Sequence, residues 1–255
     1  MEAMAVLESL FRWIHIAAGI MWIGHLYFFN FVNIPFQAAL EGPLKPKVNP
    51  ELLPRALFWF RWGALWTWVT GVLMLLLIFY HASGNLFEFG RGWGAGAIVM
   101  ILVTFFAFFV YDALFKSPLG KDLKTGAGVG FVIVAVIVFA FIHLGGFSYR
   151  GYVIHTGAMF GTIMLMNVWM RIWPAQQKII AAVKQGQPPD AALVALAGAR
   201  SRHNTYLSVP LVWTMINSHT AVPFANSPVF LLVMIVVGWA GVYWLYGKSG
   251  TVKGF

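Results

Sequence analysis

Seven histidines carry most of the chemistry this chain could perform: His15, His25, His81, His143, His155, His203 and His219. They lie in or beside long apolar runs. The first two sit within WIHIAAGIMWIGHLYFF, Trp13 to Phe29, where an imidazole is costly unless it faces a bundle interior or a cofactor. At about 100° and 1.5 Å per residue, His15 and His25 stand roughly 80° apart around a helix and about 15 Å apart along it. They cannot share one metal, but each can serve its own centre, one nearer each membrane face. His143 and His155 flank the short turn GGFSYR, and His15 and His219 fall with them in the outer halves of their helices, while His25 and His203 belong to the inner half. His81, beside Ala82-Ser83-Gly84, reads as a solvated interfacial residue. Any one membrane histidine is usually a hydrogen-bonded core residue. Several in different helices point instead to haem, with His15, His25, His143, His155 and His219 as iron ligands and His203 as a further cofactor contact. There is no Cys, so this sequence offers no disulfide, iron–sulfur or C-x-x-C-H site, and the expectation is one or two non-covalent haem b groups.

Other metals fit the pattern less well. No H-x-x-x-H or H-E-x-x-H occurs, and apart from Glu8 at the very start of the first span the only carboxylate within a span is Asp112, placed to pair with Lys116 one turn on. Small residues accompany the histidines: Ala17, Ala18, Gly19 and Gly24 near the first pair, and Gly157, Ala158 and Gly161 after His155. They leave room for a flat macrocycle, but close helix packing is the reading for most of them.

The elements that must position these side chains are membrane helices. Of 255 residues, 60% are hydrophobic and 10% charged, and the mean hydropathy of +0.77 is too high for the surface of a soluble domain. With about 20 apolar residues per crossing, the sequence reads as a polytopic all-α helical bundle, a single integral membrane domain over residues 1–255. Its expected spans are 7–33, 56–80, 93–115, 126–146, 149–173, 204–221 and 227–246, of which the sixth is short and polar. The start, MEAMAVLESLFRW, is acidic and lacks a small-residue cleavage site, so it is expected to stay as part of the first span. Residues 174–202 are expected to form a cytoplasmic connection of two amphipathic helices broken at Gln187-Pro188-Pro189.

Charge gives the orientation. With the N-terminus outside and the C-terminus inside, the inner side collects every Lys and Arg except Arg12, Arg91 and Arg150, as the positive-inside rule requires. That asymmetry accounts for the formal net charge of +9 without a nucleic-acid partner, whose basic stripe would lie on one solvated face.

Two strings are more particular than this. LFRWIHIAAGIMWIGHLYFFNFVNIPF at the start, and above all ARSRHNTYLSVPLVWTMINSH at Ala199–His219, resemble the membrane domain of the bacterial cytochrome c-linked urate oxidase (urate hydroxylase) family. The resemblance runs over nearly the whole chain. It implies oxidation of urate by a multi-spanning domain in the bacterial inner membrane, with electrons passed to a cytochrome c domain fused at the C-terminus. This sequence ends at GKSGTVKGF after the seventh span and has no C-x-x-C-H, so the acceptor is expected to be a separate cytochrome c or another membrane subunit.

Urate is a flat, hydrogen-bonding anion, and a site for it needs a cationic donor, amide or hydroxyl partners and an aromatic face. The sixth span offers such groups at both ends. Arg202, His203, Asn204, Tyr206 and Ser208 stand at one, and Asn217, Ser218, His219 and Thr220 at the other, with Arg202, Asn204 and Asn217 the candidate catalytic residues. Either set could instead sit in the headgroup region, and the sequence does not choose between the ends. Pro210 interrupts the helix between them and frees a backbone carbonyl. Three functions follow: a haem-containing oxidase of urate or a related heterocycle, a non-catalytic haem b electron-transfer or accessory subunit of a respiratory or photosynthetic complex, and a cofactor-free transporter or structural subunit.

Overall fold

The computed structural model describes residues 2–81, 84–219 and 227–252. Long helices dominate them: α1 (Ala3–Ala39), α2 (Gly42–His81), α3 (Ala95–Lys116), α4 (Leu123–His143), α5 (Tyr149–Lys184), α6 (Ala191–Asn217) and α7 (Pro228–Ser249). Among the described residues there is no strand, only an isolated antiparallel bridge between Phe87 and Phe147. Six of the helices, all but α6, are long and apolar enough to cross a bilayer. The chain is an all-helical membrane protein.

The expected sixth span is the C-terminal part of α6, a 27-residue helix that begins at Ala191 and carries Arg200, Arg202, His203 and Asn204 in its middle. These residues hold its hydropathy down. Thr220 and the end of that span lie outside the described residues. The connection breaks near the expected place, between Lys184 and Ala191, but each half continues an adjoining helix instead of standing alone.

Two helices widen into π turns just before a proline. Phe28–Asn33 precedes Pro35 in α1, and Val168–Ile172 precedes Pro174 in α5. A proline ring clashes with the carbonyl four residues back, here Phe31 and Met170, and both lie inside the widened turns. The wider turn lets each helix run on past its proline. At the start of α4, Asp122 caps the helix, its carboxylate accepting from the backbone N–H and hydroxyl of Thr125 at 2.8 Å each. Those bonds hold its carboxyl below the usual range.

The chain forms two compact units. The first comprises 1–71, 164–209 and 238–255, the second 72–163 and 210–237. In the first, Gly63 lets α2 approach α1, since a Cβ there would lie 3.1 Å from the backbone nitrogen of Trp22. Trp22, Leu26 and Phe60 fill the core beside that approach. In the second, Phe141, Phe147, Leu86 and Met159 are buried, and three glycines sit where backbone or hydroxyl crowds them. A Cβ on Gly96 would meet the Leu144 carbonyl oxygen at 2.1 Å, one on Gly151 the Leu86 oxygen at 2.3 Å, and one on Gly157 the Thr214 hydroxyl at 2.2 Å. The loop before α3 is pinned onto the α4–α5 turn by Ser148 N–H donating to Leu86 O at 2.8 Å and Glu88 N–H to Gly146 O at 3.0 Å. Gly146 takes the left-handed conformation, φ +66°, that this turn requires.

Candidate functional site

In the first unit, the polar residues in the middle of α6 are engaged by neighbouring helices. Asn204, fully buried, donates to the Met164 carbonyl at 2.9 Å and accepts from Asn167 Nδ2 at 2.9 Å. Ser208, also fully buried, donates to Thr205 O and lies 3.1 Å from the Tyr27 hydroxyl. Asn30 joins the same seam, donating to Leu26 O and Ser201 Oγ and accepting from the Tyr246 hydroxyl at 2.8 Å. Buried amides satisfied in this way lock helices together. Arg61 is likewise held, its guanidinium 3.9 Å from the ring centre of Trp173 and 5.1 Å from that of Trp169. Arg202 and Tyr206 differ. They line a groove of about 550 Å³ with Tyr243, Trp244, Tyr246, Gly247 and Lys248.

The second unit holds a larger, more polar cavity, of about 900 Å³, beside the C-terminal end of α6. Arg150 stands in its wall, anchored by donating from a terminal guanidinium nitrogen to Asn85 Oδ1 at 2.7 Å and from Nε to the Ser218 carbonyl at 3.1 Å. Tyr149 adds a hydroxyl that accepts from Asn217 Nδ2 at 2.6 Å and donates to the Asn217 carbonyl at 3.1 Å. Two imidazoles complete the wall, His143 stacked on Phe139 at 6.4 Å with the planes 5° apart, and His219. Phe147 gives it an aromatic face, and Glu88 is its carboxylate among the described lining residues. A guanidinium, amides, hydroxyls, imidazoles and aromatic faces around one cavity are what a flat, hydrogen-bonding anion requires.

The histidines separate by what their nitrogens do. A carbonyl only accepts, so each Nδ1 facing one must carry the proton and leaves Nε2 with its lone pair. Nδ1–H donates to Thr67 O in His15, to Met21 O in His25 and to Gly151 O in His155, each at 2.7 Å. An imidazole oriented through Nδ1 in this way is set up to ligate through Nε2. His15 and His25 fit haem ligation on that ground, and Gly71 leaves the space that His15 needs, since a Cβ there would lie 3.0 Å from its Cε1. His155 does not fit as it stands. Its Nε2 accepts from the Tyr80 hydroxyl at 2.9 Å, it is fully buried, and the Phe147 ring packs 4.6 Å from it. Gly157 serves close helix packing, with Thr214 filling the space where a macrocycle would otherwise fit. His81 is exposed at the end of α2, and His203, half-buried on α6, stands between Arg202 and Asn204. Among the described residues, no three His, Asp or Glu side chains cluster as a metal site. Asp112 pairs with Lys116 at 2.8 Å.

Sequence reasoning named His143 and His219 of the cavity wall, and Asn217, which bonds the wall residue Tyr149, but not Arg150, Tyr149 or Asn85 as site residues. The available signal was Arg150 itself, a cation within the short turn GGFSYR on the side otherwise poor in charge.

Fold and site together define a polytopic helical membrane protein with a polar, aromatic-walled cavity suited to a planar anion. Residues 41–247 match the family described as "Urate oxidase N-terminal", and the chain belongs to that family. No curated protein and no solved structure matches it.

Proposed function

We propose that this protein is a haem-containing membrane oxidoreductase that oxidises urate, or a closely related heterocycle, in the second-unit cavity and passes the electrons to a separate cytochrome c. The observation that carries the reading is Arg150, held toward that cavity between Asn85 and the Ser218 carbonyl in a chain of the urate oxidase N-terminal family. Its guanidinium offsets the substrate's negative charge. Tyr149 in the wall supplies a hydroxyl contact and Asn217, bonded to it, an amide beside the cavity, with Phe139 and Phe147 an apolar face for the ring. Hydroxylation of the ring with oxygen from water releases two electrons and two protons. His143 and His219 are the cavity's proton acceptors, since a neutral imidazole carries a nitrogen lone pair that can take a proton.

His15 and, at a second centre, His25 would hold haem b, which would supply one-electron chemistry between a two-electron substrate and a one-electron acceptor. The protein lies in the bacterial inner membrane with its N-terminus outside and the 174–202 segment on the cytoplasmic side, as the Lys and Arg distribution supports.

The test uses the full chain purified in mild detergent. A pyridine haemochrome assay is expected to report haem b, and His15→Ala to remove most of it. Anaerobic urate should reduce the bound haem and stall until oxidised cytochrome c is added. Absence of a Soret band would remove the cofactor from the proposal. Haem reduced by a quinol but not by urate would make the protein an electron-transfer subunit.

A further inference from the structure

The groove at the end of α7 lies in the first unit and has no part in the proposed oxidation. Arg202 and Lys248 bring two cations to it, both exposed, and no carboxylate is among its described lining residues. The C-terminal carbonyls of α7 would repel an anion, and Lys248 in the last turn offsets them. Its floor is rigid. Tyr206 and Tyr246 stack at 5.9 Å, Arg202 lies 5.1 Å from the Tyr246 ring centre, and the Tyr246 hydroxyl is fixed by the buried Asn30 amide at 2.8 Å. Its rim is aromatic and open, with Tyr243 75% and Trp244 65% exposed on a helix that can span a bilayer. Tyr and Trp so placed belong at the headgroup level, where one part of the ring system is apolar and the other hydrated.

We propose that this groove, built from Arg202, Tyr206, Tyr243, Trp244, Tyr246 and Lys248, binds the phosphate and glycerol of an acidic glycerophospholipid. Basic pockets between membrane helices recognise such headgroups by charge. The aromatic rim supplies what a free anion would not use, a wall for the glycerol and the first acyl carbons. The volume of about 550 Å³ also exceeds what a lone phosphate needs.

The test is native mass spectrometry of the full chain, delipidated in mild detergent and titrated with phosphatidylglycerol or with phosphatidylcholine of the same acyl chains. Phosphatidylglycerol is expected to be retained in preference. Arg202→Gln and Lys248→Gln should each weaken retention about fivefold, the scale of one Lys or Arg near an anionic surface. Lys178→Gln, which removes an exposed cation of α5 outside the groove, should leave retention unchanged. Lys248 is exposed on the last turn of α7, so its variant reads the site even if Arg202→Gln fails to fold. Equal retention of the two lipids, or an equal loss in Lys178→Gln, would reduce the effect to general surface charge and overturn the proposal. Displacement of the lipid by millimolar inorganic phosphate or by urate alone would assign the groove to a small anion instead.

Discussion

The two polar stretches of α6, one at its middle and one at its C-terminal end, look alike in sequence and do different work. Around Asn204 and Ser208, amide and hydroxyl groups are buried and bonded to neighbouring helices, so their polarity is used up in holding the first unit together. Around Asn217 and Ser218, the corresponding groups edge a cavity and help fix Arg150 and Tyr149 there. A polar side chain in a membrane helix therefore identifies a site only when its partners leave it facing open space. When its partners are other helices, the same residue type is a fastener.

The largest expected effect comes from the cavity's cation. Arg150→Gln should lower kcat/KM for urate about 100-fold, since a charge-assisted contact to a desolvated anion is worth about 1.5–3 kcal/mol. Arg150→Lys should recover part of the loss because it keeps the charge without the guanidinium fork. Steady-state assays with added cytochrome c check both. Near-normal kinetics in Arg150→Gln would move the substrate out of this cavity.

Asn204→Ala should act the other way, on stability. It removes two buried hydrogen bonds and leaves the Met164 carbonyl short of a donor, at a cost of about 2 kcal/mol. A detergent-phase thermal melt should shift down by several degrees, with KM for urate in the surviving protein little changed. A rise in KM without a change in the melt would mean that the middle of the helix meets substrate after all.

Much of this architecture was legible from residue order alone. Apolar runs of spanning length locate six of the long helices, and the Gln187-Pro188-Pro189 break separates α5 from α6 because proline cannot continue a helix's hydrogen-bond ladder. Of the two strings that suggested the family, the one in α6 lies within the matched residues 41–247 and the one in α1 lies before them. What sequence could not supply was the partner of each polar group. His15 and His155 read alike, yet the Nε2 of His155 is taken by the Tyr80 hydroxyl, from a residue 75 positions away. Close helix packing is the reading for most of the small residues near the histidines, but only the structure shows that Thr214 is what packs against Gly157. Arg150 entered the charge count but not the site, because only the loop's return onto the α4–α5 turn brings Asn85 to hold it.

The smaller effects belong to the imidazoles and to Tyr149. His143→Ala and His219→Ala should each slow kcat about tenfold if the two rings share proton acceptance, and further if one ring acts alone, because general-base catalysis contributes about 10²–10⁴-fold. Steady-state assays with added cytochrome c check them, since loss of the acting base should lower kcat with KM for urate little changed.

Tyr149→Phe decides how sharp the contrast between the two stretches really is. The Tyr149 hydroxyl already has two partners on Asn217, one to its amide and one to its carbonyl, so by hydrogen-bond count it resembles Ser208 in the other stretch. It also lines the cavity, which Ser208 does not. If those bonds serve only to join α5 to α6, the variant should lose about 1 kcal/mol of stability and keep its KM. If they serve to hold Asn217 toward substrate, the amide should rotate once the hydroxyl is gone. KM should then rise about threefold with a smaller shift in the melt, as expected when positioning rather than a direct contact is lost. The second outcome is the one expected here, because Arg150 binds the adjoining Ser218 carbonyl and so already ties this end of α6 to α5. With that tie in place, the Tyr149–Asn217 pair is free to orient the amide.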